Sequence, residues 1–229
     1  PGSPKSYAIV GLLGGGRVGS LAPLADRRPA IQLGPSARLG LVESTIRHAS
    51  KIGITAEGDS PFVRFERVQF DANGGYAMDL PASAVAGIQS LTSAEPVRIR
   101  GSIHTNQTWP KLDLVVASLE VVSGEKGGAV ILTLAPETIL RVEPKTSLRF
   151  GGYAEGGALV AHKVLFTSSA AKPAPGDWAG IHFQKRAPGT VIDGCIVEFA
   201  GYEDPPPPPS PAAKPKTKKD EKEARDRLQ

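Results

Sequence analysis

Few side chains in this sequence combine the residue type and the spacing that chemistry demands. The four histidines, His48, His104, His162 and His182, form no His-x-x-x-His pair, and no cysteine sits beside any of them. Zinc and other transition metals are usually held by such neighbours. Each histidine therefore reads as an outward strand or turn residue, and no metal or other cofactor is expected. Glycoside hydrolysis needs two carboxyl groups held about 5–10 Å apart. Asp59, Glu66, Asp71 and Asp79 are close enough in the chain for two of them to stack on adjacent coils of a repeat, although solvated surface charge is the simpler reading. No Gly-x-Ser-x-Gly elbow arms a serine, and Gly14-Gly15-Gly16-Arg17 lacks the Lys-Ser/Thr of a phosphate loop. Asn106-Gln107-Thr108 matches the N-glycosylation acceptor, a pattern short enough to arise by chance.

The most distinctive element is Pro175-Gly-Asp-Trp-Ala-Gly-Ile-His-Phe183. In one reading Trp178 is a surface platform for a sugar ring, with Asp177 and His182 as its polar partners; these three are the candidate ligand-binding residues. In the other, Trp178 packs against the flank of a β stack where the chain re-enters a sheet. The large burial that an aromatic body supplies favours the second. Trp109-Pro110 reads the same way. Cys195 alternates with Val197 and Phe199, which marks it as a small core residue and not a nucleophile.

The elements that would position these residues are short strands in a repeat. Pro29-Ala-Ile-Gln-Leu33, Ile52-Gly-Ile-Thr-Ala56 and Tyr76-Ala-Met-Asp-Leu80 read alike, and their starts are 23 and 24 residues apart. A second series, Thr45-Ile46-Arg47-His48 and Arg67-Val68-Gln69-Phe70, is offset by 22, with a third copy at residues 195–200. Alternation along a strand puts every second residue inside, so Ile31 and Leu33, or Val68 and Phe70, face inward with Gln32 and Gln69 outside. Gly34-Pro35-Ser36, Gly58-Asp59-Ser60-Pro61 and Asn73-Gly74-Gly75 carry turn chemistry. Further strands follow at residues 130–134, 138–142, 147–150, 158–161, 163–167, 180–183 and 190–192, and Leu159 to Ile181 is again 22 residues. The expected fold is all-β, a parallel β-helix of coils some 22–24 residues long, with a β-sandwich as the alternative.

Composition sets the limits. The chain has 229 residues, 40% of them hydrophobic and only 6% aromatic, so its core must be aliphatic. Residues 205–229 hold seven Lys/Arg against four Asp/Glu, which leaves twenty against nineteen in the rest of the chain. A nearly neutral body with no basic stripe does not point to nucleic acid. No run of 18 apolar residues is present to span a membrane. Three regions follow: an N-terminal segment or partial coil at 1–28, in which 1–3 read as a tag scar; the β-helix at 29–204; and a flexible, proline-rich charged tail at 205–229. Pro205–209 reads as a semi-rigid polyproline spacer.

Six pieces of the body, in order, resemble the right-handed parallel β-helix repeat proteins of bacterial cell surfaces, which share the pectate-lyase-like fold. They are NGGYAMDLPASAVAGI (73–88), TWPKLDLVV (108–116), LTLAPETILRV (132–142), GGALVAHKVLFTS (156–168), PGDWAGIHF (175–183) and IDGCIVEFAG (192–201). The resemblance implies a secreted or envelope-associated protein whose export signal lies outside this fragment, and it raises carbohydrate handling. The catalytic groups of the polygalacturonases (Asn-Thr-Asp, Asp-Asp, Gly-His-Gly and Arg-Ile-Lys) are missing. Arg98-Ile99-Arg100 is the nearest match and lacks its partners. The expected function is thus a non-catalytic module that presents an extended surface to a polysaccharide or a cell-surface protein. The alternatives are a polysaccharide lyase or glycosidase with an unrecognised carboxylate site, and a structural spacer that self-associates through its end coils.

Overall fold

The computed structural model describes residues 11–13, 29–59, 61–123, 128–152, 156–184 and 189–203. Short strands with one apolar side gain little singly, and stacking them buries that side continuously. The chain does this as an all-β parallel solenoid. One sheet runs the length of the described body. Its eight strands are Ile31–Leu33, Ile52–Ala56, Tyr76–Pro81, Val97–Arg100, Asp113–Val116, Ile139–Val142, Leu165–Ser168 and Ile196–Val197. They lie in chain order and pair in parallel throughout.

The lateral walls change along the stack. Early coils use Arg38–Val42 with Phe62–Glu66, and Thr45–Arg47 with Val68–Asp71 and Leu91–Ser93. Later coils use two four-stranded sheets. One holds Ser102–Ile103, Leu119–Val121, Ser147–Phe150 and Gly180–Phe183; the other holds Gln107–Trp109, Val130–Leu134, Gly157–His162 and Val191–Asp193. A 3-10 turn at Ala82–Gly87 lies near the change and buries Ala82, Ala84 and Val85.

The core is a set of files, one residue per coil. Register aligns Ile31, Ile54, Met78, Val97, Leu114, Leu140, Phe166 and Val197. From Ile54 to Phe166 no member of this file is more than 1% exposed. Each large side chain buried in this way stabilises the stack by about 1.5–3 kcal/mol. The coils also pack close enough to fix individual residues. A Cβ on Gly157 would lie 1.9 Å from the Val121 carbonyl oxygen, so only glycine fits there.

The repeat expected from the sequence holds in the opening coils, where Ile31, Ile54 and Met78 are spaced by 23 and 24 residues. After them the interval falls to 19 (Met78 to Val97) and 17 (Val97 to Leu114). It then rises to 26, 26 and 31 at Leu140, Phe166 and Val197. Stacking constrains the strands, while the loops between them vary freely in length. Leu159 and Ile181, 22 residues apart, are consequently not equivalent: Leu159 pairs with Leu132 and Ile181 with Leu148, in different sheets. Residues 195–200 are likewise not a third copy of the Ile46 and Phe70 series, because Ile196–Val197 ends the long sheet. Val197, expected inside with Cys195 and Phe199, is 48% exposed, and the other two are only partly buried. The inward alternation is right in phase, but no described coil covers it.

Within the N-terminal segment, Gly11–Leu13 runs antiparallel to Arg38–Val42, an edge strand and not a parallel coil. The rest of that segment and the tail from 204 onward lie outside the described residues.

Candidate functional site

Every inner file has an outer file beside it, and on a solenoid those outer files are the surface. On the long sheet the outer file runs Gln32, Thr55, Asp79, Arg98, Val115, Arg141 and Thr167. Its charges are engaged with one another or with their flanks. Arg98 donates to Asp79 at 3.1 Å and to Glu143 at 2.7 Å, and its guanidinium lies 6.0 Å from the centre of the Tyr76 ring. Arg100 donates to Asp79 and to the Ala56 carbonyl. Arg141 pairs with Asp113 at 2.8 Å, and the Thr167 hydroxyl donates to Glu198 at 2.7 Å. The hydrogen bond to Glu143, and with it the charge of Asp79, raises the Arg98 guanidinium above its ordinary pKa.

The wall containing Ser147–Phe150 is different. Its outer file is Ser102, Glu120, Arg149 and His182, each opposite the next across parallel strands spaced by roughly 4.8 Å. Among the described residues neither the Glu120 carboxylate nor the Arg149 guanidinium has an ion-pair or side-chain hydrogen-bond partner. Glu120 is half-buried and Arg149 exposed. A shallow open groove of about 360 Å³ crosses this file, lined by Gly101, Ser102, Ser118, Glu120, Ser147 and Arg149 among others. The site therefore offers one anion, one cation and several small hydroxyls in a line along the solenoid axis.

Of the three residues singled out in the sequence, only His182 belongs to this file. Its Nε2 lies 3.2 Å from the Ala179 carbonyl oxygen, which can only accept, so the proton of this bond is on Nε2. Gly180, at φ +113°, makes the turn that brings the ring back over its own strand. Trp178 is fully buried, and its Nε1 donates to the Glu198 carbonyl at 2.8 Å. A stacking platform needs an exposed ring face, and this ring has none; it belongs to the buried core cluster, as Trp109 does. Asp177 accepts hydrogen bonds from the Ser168 hydroxyl at 2.7 Å and the Ala174 N–H at 3.0 Å, which fold the loop before Trp178. The three do not converge.

The carboxylates considered for catalysis do not pair either. Asp71 stands opposite Arg47 and Glu66 opposite Val42. Asp59 accepts from Ser83, and Asp79 is held between its two arginines. A hydrogen bond from Arg64 pulls the Glu66 carboxyl below its usual range. The remaining histidines are exposed: His104 Nδ1 donates to the Val122 carbonyl, and His162 sits 3.2 Å from Asp193. Among the described residues no group of three or more His, Cys, Asp or Glu could hold a metal, and no helix is long and apolar enough to cross a membrane.

Glu120 and Arg149 are absent from the sequence-derived candidates, although alternation shows both pointing outward, between Leu119 and Val121 and between Leu148 and Phe150. What it does not show is that they are neighbours, because their spacing of 29 positions exceeds the repeat read from the opening coils. No protein-family model, curated protein or solved structure matches the chain.

Proposed function

We propose that this chain is a non-catalytic β-solenoid module, secreted or of the cell envelope, that presents an extended lateral surface to a polysaccharide. The observation that carries the reading is the file Ser102, Glu120, Arg149 and His182, whose central carboxylate and guanidinium are unpaired beside a hydroxyl-lined groove. Sugar hydroxyls donate to carboxylates and accept from guanidinium groups, and such charge-assisted bonds are shorter and stronger than neutral ones. A polymer laid along the solenoid axis meets polar groups at the coil spacing, so several weak contacts act together on one chain.

The test is affinity electrophoresis of the full chain in gels containing neutral or acidic polysaccharides, alongside the double variant Glu120→Gln/Arg149→Ala. Retardation by at least one polysaccharide, lost in the double variant, supports the reading. Retardation by none, or equal retardation of both proteins, overturns it. Incubating the wild type with any retarding polysaccharide and following new reducing ends separates binding from the lyase or glycosidase alternative.

A further inference from the structure

Asn73-Gly74 is a dipeptide prone to spontaneous loss of its side-chain amide, because glycine leaves the backbone nitrogen that follows asparagine unhindered. In that reaction the Gly74 nitrogen gives up its proton and bonds Asn73 Cγ, Nδ2 leaves as ammonia, and a succinimide ring closes. Water then cleaves the ring on one side of the nitrogen or the other. The product is aspartate, or isoaspartate with the backbone routed through the side chain. Only water is consumed and only ammonia released. The chain's other asparagine, Asn106, is followed by Gln107, whose side chain hinders the same attack.

Packing both demands this labile pair and holds it intact. The Asn73 Oδ1 accepts from the Ala49 N–H at 3.0 Å, and Nδ2 donates to the Ile46 carbonyl at 3.2 Å. Its own N–H donates to the Glu95 carboxylate at 2.7 Å. An ionised carboxylate only accepts, so aspartate cannot make both side-chain bonds. Gly74 has no room for a side chain, since a Cβ there would lie 2.3 Å from the Ser50 carbonyl oxygen. Its N–H donates to the Ala49 carbonyl at 2.9 Å. The attacking nitrogen and the amide under attack are thus both tied to residues 46–49 of the preceding coil, at a site where Asn73 is 8% exposed. We propose that Asn73-Gly74 is a one-way latch between these coils, intact while they are bonded and converted to aspartate or isoaspartate when they part. Modification of a transiently opened state tracks how often that state is visited. The product does not relatch. A carboxylate at position 73 repels the Ile46 carbonyl that Nδ2 had bonded, and a buried charge without a partner is costly. Isoaspartate also lengthens the backbone between the paired strands Val68–Asp71 and Tyr76–Pro81.

Peptide mapping by mass spectrometry tests this, following conversion at 73–74 in the full chain held in mildly alkaline buffer, folded and in strong urea. Conversion should be about tenfold slower or more in the folded protein. Glu95→Ala releases the Asn73 N–H without altering the dipeptide. It should speed conversion severalfold in the folded protein and leave the rate in urea unchanged. Asn73→Asp, which installs the product directly, should lower the urea midpoint of unfolding. Equal conversion in folded and unfolded chains, a folded rate that Glu95→Ala leaves unchanged, or an Asn73→Asp protein with the wild-type midpoint would each overturn the proposal. If Asn73→Asp does not fold at all, the latch has failed to form as expected, and the wild-type and Glu95→Ala rates still decide. None of these readouts involves polysaccharide, so the result is independent of the lateral binding surface.

Discussion

The outer face of the long sheet and the outer face of the wall bearing Arg149 are built on one principle and put to different use. Both are files of outward residues, one per coil, both mix acids with bases, and both lie over a largely buried apolar interior. On the long sheet, Asp79, Arg98, Arg100 and Glu143 form a connected cluster, and the side chain of Asp79 is only 15% exposed. On the wall, Glu120 and Arg149 are neighbours in register yet make no ion pair. Proximity alone therefore does not make a salt bridge: the flanking positions must also aim the groups at each other. Arg98 succeeds by reaching past Val115 to Glu143. Polar groups that already satisfy each other hold coils together, and polar groups left unsatisfied at a groove are free to take a ligand.

The largest test of this contrast is Asp79→Ala. It strips a partner from both Arg98 and Arg100 at a half-covered site, and hydrogen bonds to charged groups contribute about 2 kcal/mol. Urea denaturation should show a loss of that order, with polysaccharide retardation unchanged. Arg149→Ala should do the reverse, with stability within about 0.5 kcal/mol of wild type and retardation reduced. If Arg149→Ala destabilises as much as Asp79→Ala, the two faces are not different in kind. Asp113→Asn breaks an ion pair whose side chains are 40% and 42% exposed, and should cost about 0.5 kcal/mol or less. It calibrates how much of the Asp79 effect comes from burial.

The smallest effect is on pH. Hydrogen bonds from Arg64 and Lys111 hold Glu66 and Glu137 below the ordinary glutamate range. A depressed folded-state pKa contributes stability above the unfolded value, about 4.3 for glutamate, and that contribution is lost as pH falls through the folded value. The thermal melt should therefore be insensitive to these two groups near neutrality and decline only in acid. NMR titration should find both carboxyls below the free value, and Arg64→Gln should return Glu66 towards it.

Much of this is legible in the sequence. The alternation in Ile31-Gln32-Leu33 and Val68-Gln69-Phe70 gave the correct inward faces, with Gln32 and Gln69 exposed and Val68 and Phe70 buried. Turn chemistry was only partly legible. Glu43, His48, Arg67, Ala72, Glu137, Lys145, Lys163 and Phe199 all take positive φ without being glycine, a conformation that costs an L-residue about 1–2 kcal/mol and is not announced by its type. The turn at Asn73 was visible, but its work was not. Its side chain accepts from the Ala49 N–H and donates to the Ile46 carbonyl, while its own N–H donates to Glu95, so it joins the coils on either side.

The sequence by itself determined the fold class. An aliphatic, strand-period, turn-rich chain with no long apolar run buries its alternating side by packing short strands, as a solenoid or as a sandwich, and the structure is the solenoid. It also favoured burial of the Trp178 ring over its use as a surface platform, and the ring is fully buried. Tertiary structure alone decided the register from coil to coil, because stacking energy depends on which inner side chains meet and hardly at all on how many residues loop between them. Register in turn decided that Leu159 and Ile181 belong to different walls, and that Glu120, Arg149 and His182 share one file.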